Sequence, residues 1–304
     1  MRREAKYRQC ENKCGSVDAI ATTNIIPFKR PGLGQRIRSV FRVDATLEGT
    51  EEVCKRLGGI QHTLFGGMWK FTSQAVHADT AYSTLPLAPH NDSTYFTEAT
   101  GSRSAIHSRL FGTEQDSARG ISPKTLSPKT VKVYPERVQL QVLHCLEHRD
   151  GSGGDTILVD GFYGAARLRE QHPEYFRLLS TYELEAEYIE EGHHYRHAAP
   201  VISTNPATGD LKQIRFNIYD RAPMAFRSGE ECRSYYSALK ALAHFYQDPG
   251  NQFRFKLTPG LIVVMDNFRL LHGRTAFTGS RVLCGCYVSR SDWLDRARTL
   301  QLIA

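Results

Sequence analysis

Three residues set the chemical question. His90 and Asp92 stand one residue apart in PHNDSTYF, and His272 lies far along the chain in VVMDNFRLLHGR. Two histidines and one carboxylate, two on one loop and the third at a distant strand end, make the donor set of a facial triad. Such a set occupies one face of an octahedron and leaves three positions open. It suits Fe(II) that must take up a bidentate cosubstrate and dioxygen. His-x-Asp alone is a common polar turn, and His272 alone reads as a turn histidine. Their combination with Arg281, nine residues after His272, favours the metal reading.

The other metal-like patterns are weaker. Cys10-x3-Cys14 is half a zinc set without its other half. His193-His194-x2-His197 lacks a cysteine or acid to close a tetrahedron, and reads as a solvated loop near a site mouth. Cys284 and Cys286 fall on one face of a strand, since positions i and i+2 point the same way, and read as packed thiols.

The elements that must position these residues are short. Glu51–Leu57 reads as a helix capped by Thr50 and stopped by Gly58. Strands are expected at 141–147, 156–159, 182–189, 213–218, 253–257, 261–265 and 282–288. Helices are expected at 162–170, 173–179, 231–246 and 292–302. Many short strands with tight turns and a few helices predict a mixed β fold, a sandwich or barrel decorated by helices.

Composition narrows the class further. The chain has 304 residues, 40% hydrophobic and 23% charged, enough to bury a large core. No apolar run is long enough to span a bilayer. Seven cysteines without framework spacing suit a reducing compartment. The net charge of +7 is uneven: residues 1–42 hold ten Lys or Arg against three acids, and 102–139 hold seven against three. The remaining, patterned part is mildly acidic, which argues against a nucleic-acid groove.

Residues 1–48 read as a basic, poorly ordered segment, and its arginines are a weak match to a mitochondrial transit peptide. Residues 102–139 are rich in Ser, Arg and Lys without periodicity, and read as a disordered insert in a domain spanning 49–304.

Several blocks carry a resemblance: MWKFTS, DTAYSTLPLAPHNDSTYF, LQVLHCLEH, GGDTILVDGFY, IRFNIYDRA, MDNFRLLHGR and FTGSRVLCGCY. The chain resembles the Fe(II)/2-oxoglutarate dioxygenases of the taurine dioxygenase superfamily, and within them the trimethyllysine and γ-butyrobetaine dioxygenases. The likeness runs from about Gly49 to the C-terminus, apart from the insert. It implies a distorted double-stranded β-helix (jelly-roll) core, Fe(II), 2-oxoglutarate as cosubstrate and ascorbate as reductant. It further implies a small quaternary-ammonium substrate, dioxygen, and a homodimer in the mitochondrial matrix. An N-terminal zinc-binding domain, also implied, has no counterpart in residues 1–48.

Carried over residue by residue, the resemblance makes His90, Asp92 and His272 the iron ligands. It places Arg281 against the distal carboxylate of 2-oxoglutarate, a task suited to a planar fork. Thr156 falls near the same cosubstrate. Arg274 reads as a carboxylate anchor or a structural salt bridge. Phe65, Trp69, Asp79, Tyr82 and Asn217, with Tyr287 beside them, match the substrate pocket. Aromatic faces and nearby acids recognise a trimethylammonium head that cannot donate hydrogen bonds. Phe65 departs from the family's tyrosine, keeping the ring and losing the hydroxyl. The implied reaction is 3-hydroxylation of N6-trimethyllysine, the first step of carnitine biosynthesis. The alternatives are γ-butyrobetaine hydroxylation and a truncated inactive relative that only binds ligand.

Overall fold

The run LIVVM forms a strand with both faces covered. In β11 (Leu261–Asp266), Val263 and Met265 pack with Leu143, Leu158 and Leu283, whereas Ile262 and Val264 pack with Val53, Cys54 and Val288. A strand buried on two sides reads as a continuous apolar run rather than an alternation. The computed structural model describes residues 40–72, 83–97, 138–190 and 192–302.

Two antiparallel sheets face each other. The larger has the order β1 (Val40–Arg42), β11, β4 (Val138–Arg149), β13 (Ser280–Ser289), β2 (Met68–Thr72). The smaller has the order β10 (Gln252–Phe255), β5 (Thr156–Asp160), β12 (Leu270–Arg274), β3 (Leu87–His90). Side-chain alternation sends Leu143 and Leu283 from one sheet toward Leu158 and Leu270 from the other, forming the core between them. Each fully buried aliphatic side chain there is worth about 1.5–3 kcal/mol. The core is therefore a stiff support for the polar residues on the same strand faces.

Helices cover both outer faces. On the larger sheet lie α1 (Leu47–Leu57) and α5 (Arg290–Thr299), contributing Val53, Cys54 and Trp293. On the smaller lie α2 (Gly161–Gln171), α3 (Pro173–Thr181) and α4 (Gly229–Gln247). Helix α4 shows why such segments are legible: Tyr235, Ala238, Leu239, Leu242 and Tyr246 form its buried stripe at helical spacing. Ser228 caps it by accepting from the Glu231 amide.

Several expectations are corrected. Helix α1 begins at Leu47 with Thr46 as its cap, because the Thr46 hydroxyl accepts from the Gly49 amide at 3.0 Å. Thr50 is instead fully buried and bonded to His144 Nδ1 at 2.7 Å. Strand β1 pairs with β11, so the fold reaches back into the segment expected to be poorly ordered. Strand β4 starts at Val138, inside the span expected as an insert; residues 98–137 lie outside the described residues.

The histidine-rich segment is a strand, not a loop. In β7 (His193–Pro200) it pairs along its length with β6 (Glu183–Glu190). Opposed charges support this register: His194 contacts Glu187 at 3.0 Å, and Arg196 pairs with Glu185. Beside it, β8 (Ile202–Thr204) pairs with β9 (Leu211–Ile214). The strand expected to run to Ile218 ends at Ile214, because Arg215 to Asn217 turn to bond the metal loop instead. Cys284 and Cys286 are buried thiols on the helix-facing side of β13, as expected, with Cys286 Sγ 2.9 Å from Cys54 Sγ.

Candidate active site

Strand pairing brings the distant histidines together. His90 ends β3 and His272 lies in β12, directly opposite it in the ladder. Their ring centroids are 4.5 Å apart. Asp92, two residues past the strand end, places Oδ1 3.2 Å from His90 Nε2 and 3.5 Å from His272 Nε2. Among the described residues, this is the one group of three His, Cys, Asp or Glu side chains arranged to hold a metal ion.

A polar scaffold fixes that loop. Asn91 donates to the carbonyls of Asn267 and Leu270 at 2.8 and 3.0 Å, and its own side-chain oxygen accepts from the Phe216 amide. Asn267 accepts from the Asp92 amide and donates to the Asp92 carbonyl, both at 3.0 Å. Farther along, buried Arg215 donates to the carbonyls of Thr94, Leu184, Ala199 and His197, tying the loop to β6 and β7.

The donor atoms suit a divalent transition metal. His90 Nδ1 sits 2.8 Å from the Ala88 carbonyl, so Nδ1 carries a proton and Nε2 is turned to the metal corner; burial opposes charge on this ring, but the neighbouring Asp92 carboxylate raises its pKa. Burial pushes His272 down to about 4 against the attraction of Asp92, so its imidazole is neutral near pH 7. Burial also opposes charge on Asp92. The His272 and His90 rings and the Tyr287 hydroxyl outweigh that effect, holding the carboxyl well below the usual carboxylate range. With the Nε2 proton of His90 displaced, the corner offers two nitrogen donors beside an ionised oxygen.

The triad opens into a cavity of about 200 Å³. Every sequence-predicted site residue among those described lines it: Phe65, Trp69, Thr156, Asn217, Arg274, Arg281 and Tyr287 join the three ligands. Asp79 and Tyr82 lie outside the described residues. Arg281 is 5% exposed, has a buried Nε without a partner, and makes no ion pair among the described residues. Burial lowers its pKa. A buried, unpaired guanidinium is costly unless an anion joins it.

Three predicted residues also make contacts that the sequence did not specify. Arg274 donates to the backbone carbonyls of Ser83 and Leu85, anchoring the preceding loop. Asn217 donates to the Asn91 carbonyl at 3.1 Å and to Asp220 Oδ2 at 2.7 Å, and its oxygen accepts from the Tyr219 amide. Its amide thus braces the metal loop and an acid. Tyr287 directs its hydroxyl to Asp92 Oδ2 at 2.8 Å, with its ring 5.6 Å from that of Trp69.

Sequence reasoning missed part of the wall. Tyr188 and Glu190, at the end of β6, line the cavity, as do Tyr95, Asp220 and Gln141. Tyr188 stands edge-on to Phe65 at 5.6 Å and stacks on Tyr95 at 5.0 Å. IYDRA contained Asp220, but nothing in the sequence linked a distant YIE to the pocket. Trp69 also needs its neighbour to be glycine: a Cβ on Gly285 would lie 2.2 Å from the Trp69 ring.

Among the described residues, a triad with no fourth protein ligand, sharing a cavity with a buried arginine that makes no ion pair, fits the Fe(II)- and 2-oxoglutarate-dependent oxygenases. Comparison with known proteins agrees and is narrower. Residues 129–287 match the family described as Taurine catabolism dioxygenase TauD, TfdA family, and the chain belongs to it. Human trimethyllysine dioxygenase, mitochondrial, is 38% identical over 272 residues, covering 88% of this chain and 55% of its own length. A γ-butyrobetaine dioxygenase from a Pseudomonas species is 36% identical over 165 residues, 53% of this chain and 42% of that protein. The chain thus spans about half the length of the curated relatives it matches. The crystal structure of PvcB from Pseudomonas aeruginosa shares the fold, with a TM-score of 0.51 and 18% identity over 82% of this chain and 73% of that one.

Proposed function

We propose that this chain hydroxylates a small quaternary-ammonium substrate, N6-trimethyllysine at C3, as the first step of carnitine biosynthesis. One observation carries the reading. The triad and the unpaired Arg281 share a single cavity with an aromatic wall of Phe65, Trp69, Tyr95 and Tyr188. The human relative's name supports the substrate.

His90, Asp92 and His272 hold Fe(II), with ascorbate as the external reductant. With 2-oxoglutarate and dioxygen, bound iron supplies the oxidising power that converts a substrate C–H to C–OH while the oxo acid becomes succinate and CO2. The protein supplies position and dryness. Arg281 pairs its planar fork with the distal carboxylate of 2-oxoglutarate, a charge-assisted bidentate contact. Thr156, on the neighbouring sheet and 3% exposed, adds a hydroxyl at the same end. Phe65, Trp69 and Tyr188 face the trimethylammonium head, with Glu190 and Asp220 supplying negative field. Such contacts contribute about 0.5–2 kcal/mol each when desolvated. Asp79 and Tyr82, which the resemblance assigns to the same head group, lie outside the described residues.

The sheets are the core of a double-stranded β-helix, and the catalytic unit is the span expected from 49 to 304 extended back to β1 at Val40, its insert ending before β4 at Val138. The protein works as a homodimer in the mitochondrial matrix. A second reading, γ-butyrobetaine as substrate, rests on the Pseudomonas relative. The blocks LCGCY and YDRA fit the trimethyllysine branch better.

The test is succinate release by the purified chain with Fe(II), ascorbate and 2-oxoglutarate. Stimulation by trimethyllysine over γ-butyrobetaine and no substrate is expected. Stimulation by γ-butyrobetaine alone would move the substrate. No release from folded protein would leave a ligand-binding relative.

A further inference from the structure

The carboxylate of Asp92 has two oxygens in different surroundings. Oδ1 faces the two histidine Nε2 atoms at 3.2 and 3.5 Å. Oδ2 points the other way, into the larger sheet, and accepts two hydrogen bonds. Gln141 Nε2 donates at 2.6 Å and the Tyr287 hydroxyl at 2.8 Å. These donors stand directly opposite each other on β4 and β13. Both are buried.

The orientation of Gln141 follows from chemistry. Turning its amide over would set an oxygen against a carboxylate. With Nε2 committed, its Oε1 is buried without a partner, a cost accepted beside one particular carboxylate. Tyr287 is likewise fixed: its ring lies 5.6 Å from Trp69, which occupies the space left by Gly285. Neither donor touches the histidines. Their shared target is the oxygen that the metal corner does not use.

We propose, on the iron-centre reading above, that Gln141 and Tyr287 form a clamp that makes Asp92 a one-oxygen ligand. By occupying both lone pairs of Oδ2, they deny that oxygen to the metal and fix the direction of Oδ1. A second coordinating oxygen would fill one of the positions that cosubstrate and dioxygen require. The clamp also joins the two sheets at the metal, since the histidines stand on the smaller and the donors on the larger. Gln141 and Tyr287 are positioning residues in this scheme, acting through Asp92.

The test uses the full chain and redox-stable ions. Mn(II) affinity is measured by titration, and Co(II) d–d absorption reports the ligand set. The variants are Gln141→Leu, Tyr287→Phe and their combination. Outer-shell partners of this kind change metal affinity by roughly 10–100-fold. Each single variant is expected to weaken Mn(II) binding by roughly 10-fold and the pair by more. The double variant should also show an altered Co(II) d–d spectrum, as a second carboxylate oxygen replaces a solvent ligand, and Gln141→Asn should restore less than the parent affinity. Tyr287→Phe removes one oxygen and preserves the ring, so it keeps the test decisive if Gln141→Leu fails to fold. Parent-like affinity and Co(II) spectrum in a folded Tyr287→Phe and a folded double variant would overturn the clamp. Failure of the parent itself to bind Mn(II) would overturn the iron-centre reading and the clamp with it.

Discussion

The cavity has two ends built by different physics. At the metal end, directed hydrogen bonds hold the loop that carries Asp92. Asn91 and Asn267 fix the backbone around Asp92, and Gln141 and Tyr287 fix its side chain. At the aromatic end, Phe65, Tyr188 and Tyr95 meet through ring edges and faces. The difference follows from what each end must recognise. Coordination is directional and punishes small displacements, whereas attraction of a cation to a ring face varies smoothly with position. Substitution should therefore be all-or-none at the first end and graded at the second.

The largest effect expected is at the ligands. Asp92→Ala or His272→Ala should abolish both Mn(II) binding and succinate release, while melting temperature in the absence of metal changes little. Full activity in Asp92→Ala would sink the triad assignment.

Next comes the scaffold. Asn91→Ala strands the Phe216 amide and two carbonyls in the interior, each costing about 1–3 kcal/mol. Denaturant unfolding should show a loss of about 3 kcal/mol or more. A smaller loss with intact metal affinity would mean the metal end is less tightly built than its hydrogen bonds imply.

Arg281→Lys keeps the charge and loses the fork. The lost charge-assisted contact is worth about 1.5–3 kcal/mol, expected as a raised KM for 2-oxoglutarate with that for the amine nearly unchanged. A change confined to the amine would reverse the assignment of the two ends.

The aromatic end should respond more gently. Trp69→Leu is expected to cost about 0.5–2 kcal/mol in quaternary-ammonium binding, read by calorimetry with a trimethylammonium ligand and by comparison with its uncharged isostere. Phe65→Tyr keeps the ring and should change binding less than Trp69→Leu.

An effect visible only in acid lies behind the larger sheet. Burial holds His144 down at about 4, from an ordinary 6.5. The unfolded chain takes up this proton first as pH falls. The associated stability is therefore fully present above about 6.5 and lost on descending toward 4. His144→Gln should flatten this part of the stability–pH curve. An unchanged curve would place the acid sensitivity elsewhere.

How much of this was legible depended on where the determining contact lay. The α4 stripe, the β11 run and the short strands follow from periodicity and burial, which are local. The helix start at Thr46 was missed because Thr46 and Thr50 are equally good caps in isolation. Thr50 differs only in lying against His144, a residue 94 positions away. The strand His193–Pro200 was missed because its histidines look solvated until Glu185 and Glu187 stand opposite. Gln141 lay in the block LQVLHCLEH with no role attached and Tyr188 and Glu190 lay in no block, and only the approach of β4 and β6 to the metal loop placed them at the site.

The sequence by itself determined the donor types. His90-x-Asp92, His272 and Arg281 are chemical choices written in residue identity, and the blocks around them specify a family. Tertiary structure decided everything that depends on direction. It set His90 opposite His272, turned one oxygen of Asp92 to the metal corner and the other to Gln141 and Tyr287, and bonded the Asn217 amide to the loop and to Asp220. Residue identity fixes what an atom can bond, but pairing register and sheet packing fix where its lone pairs and protons point.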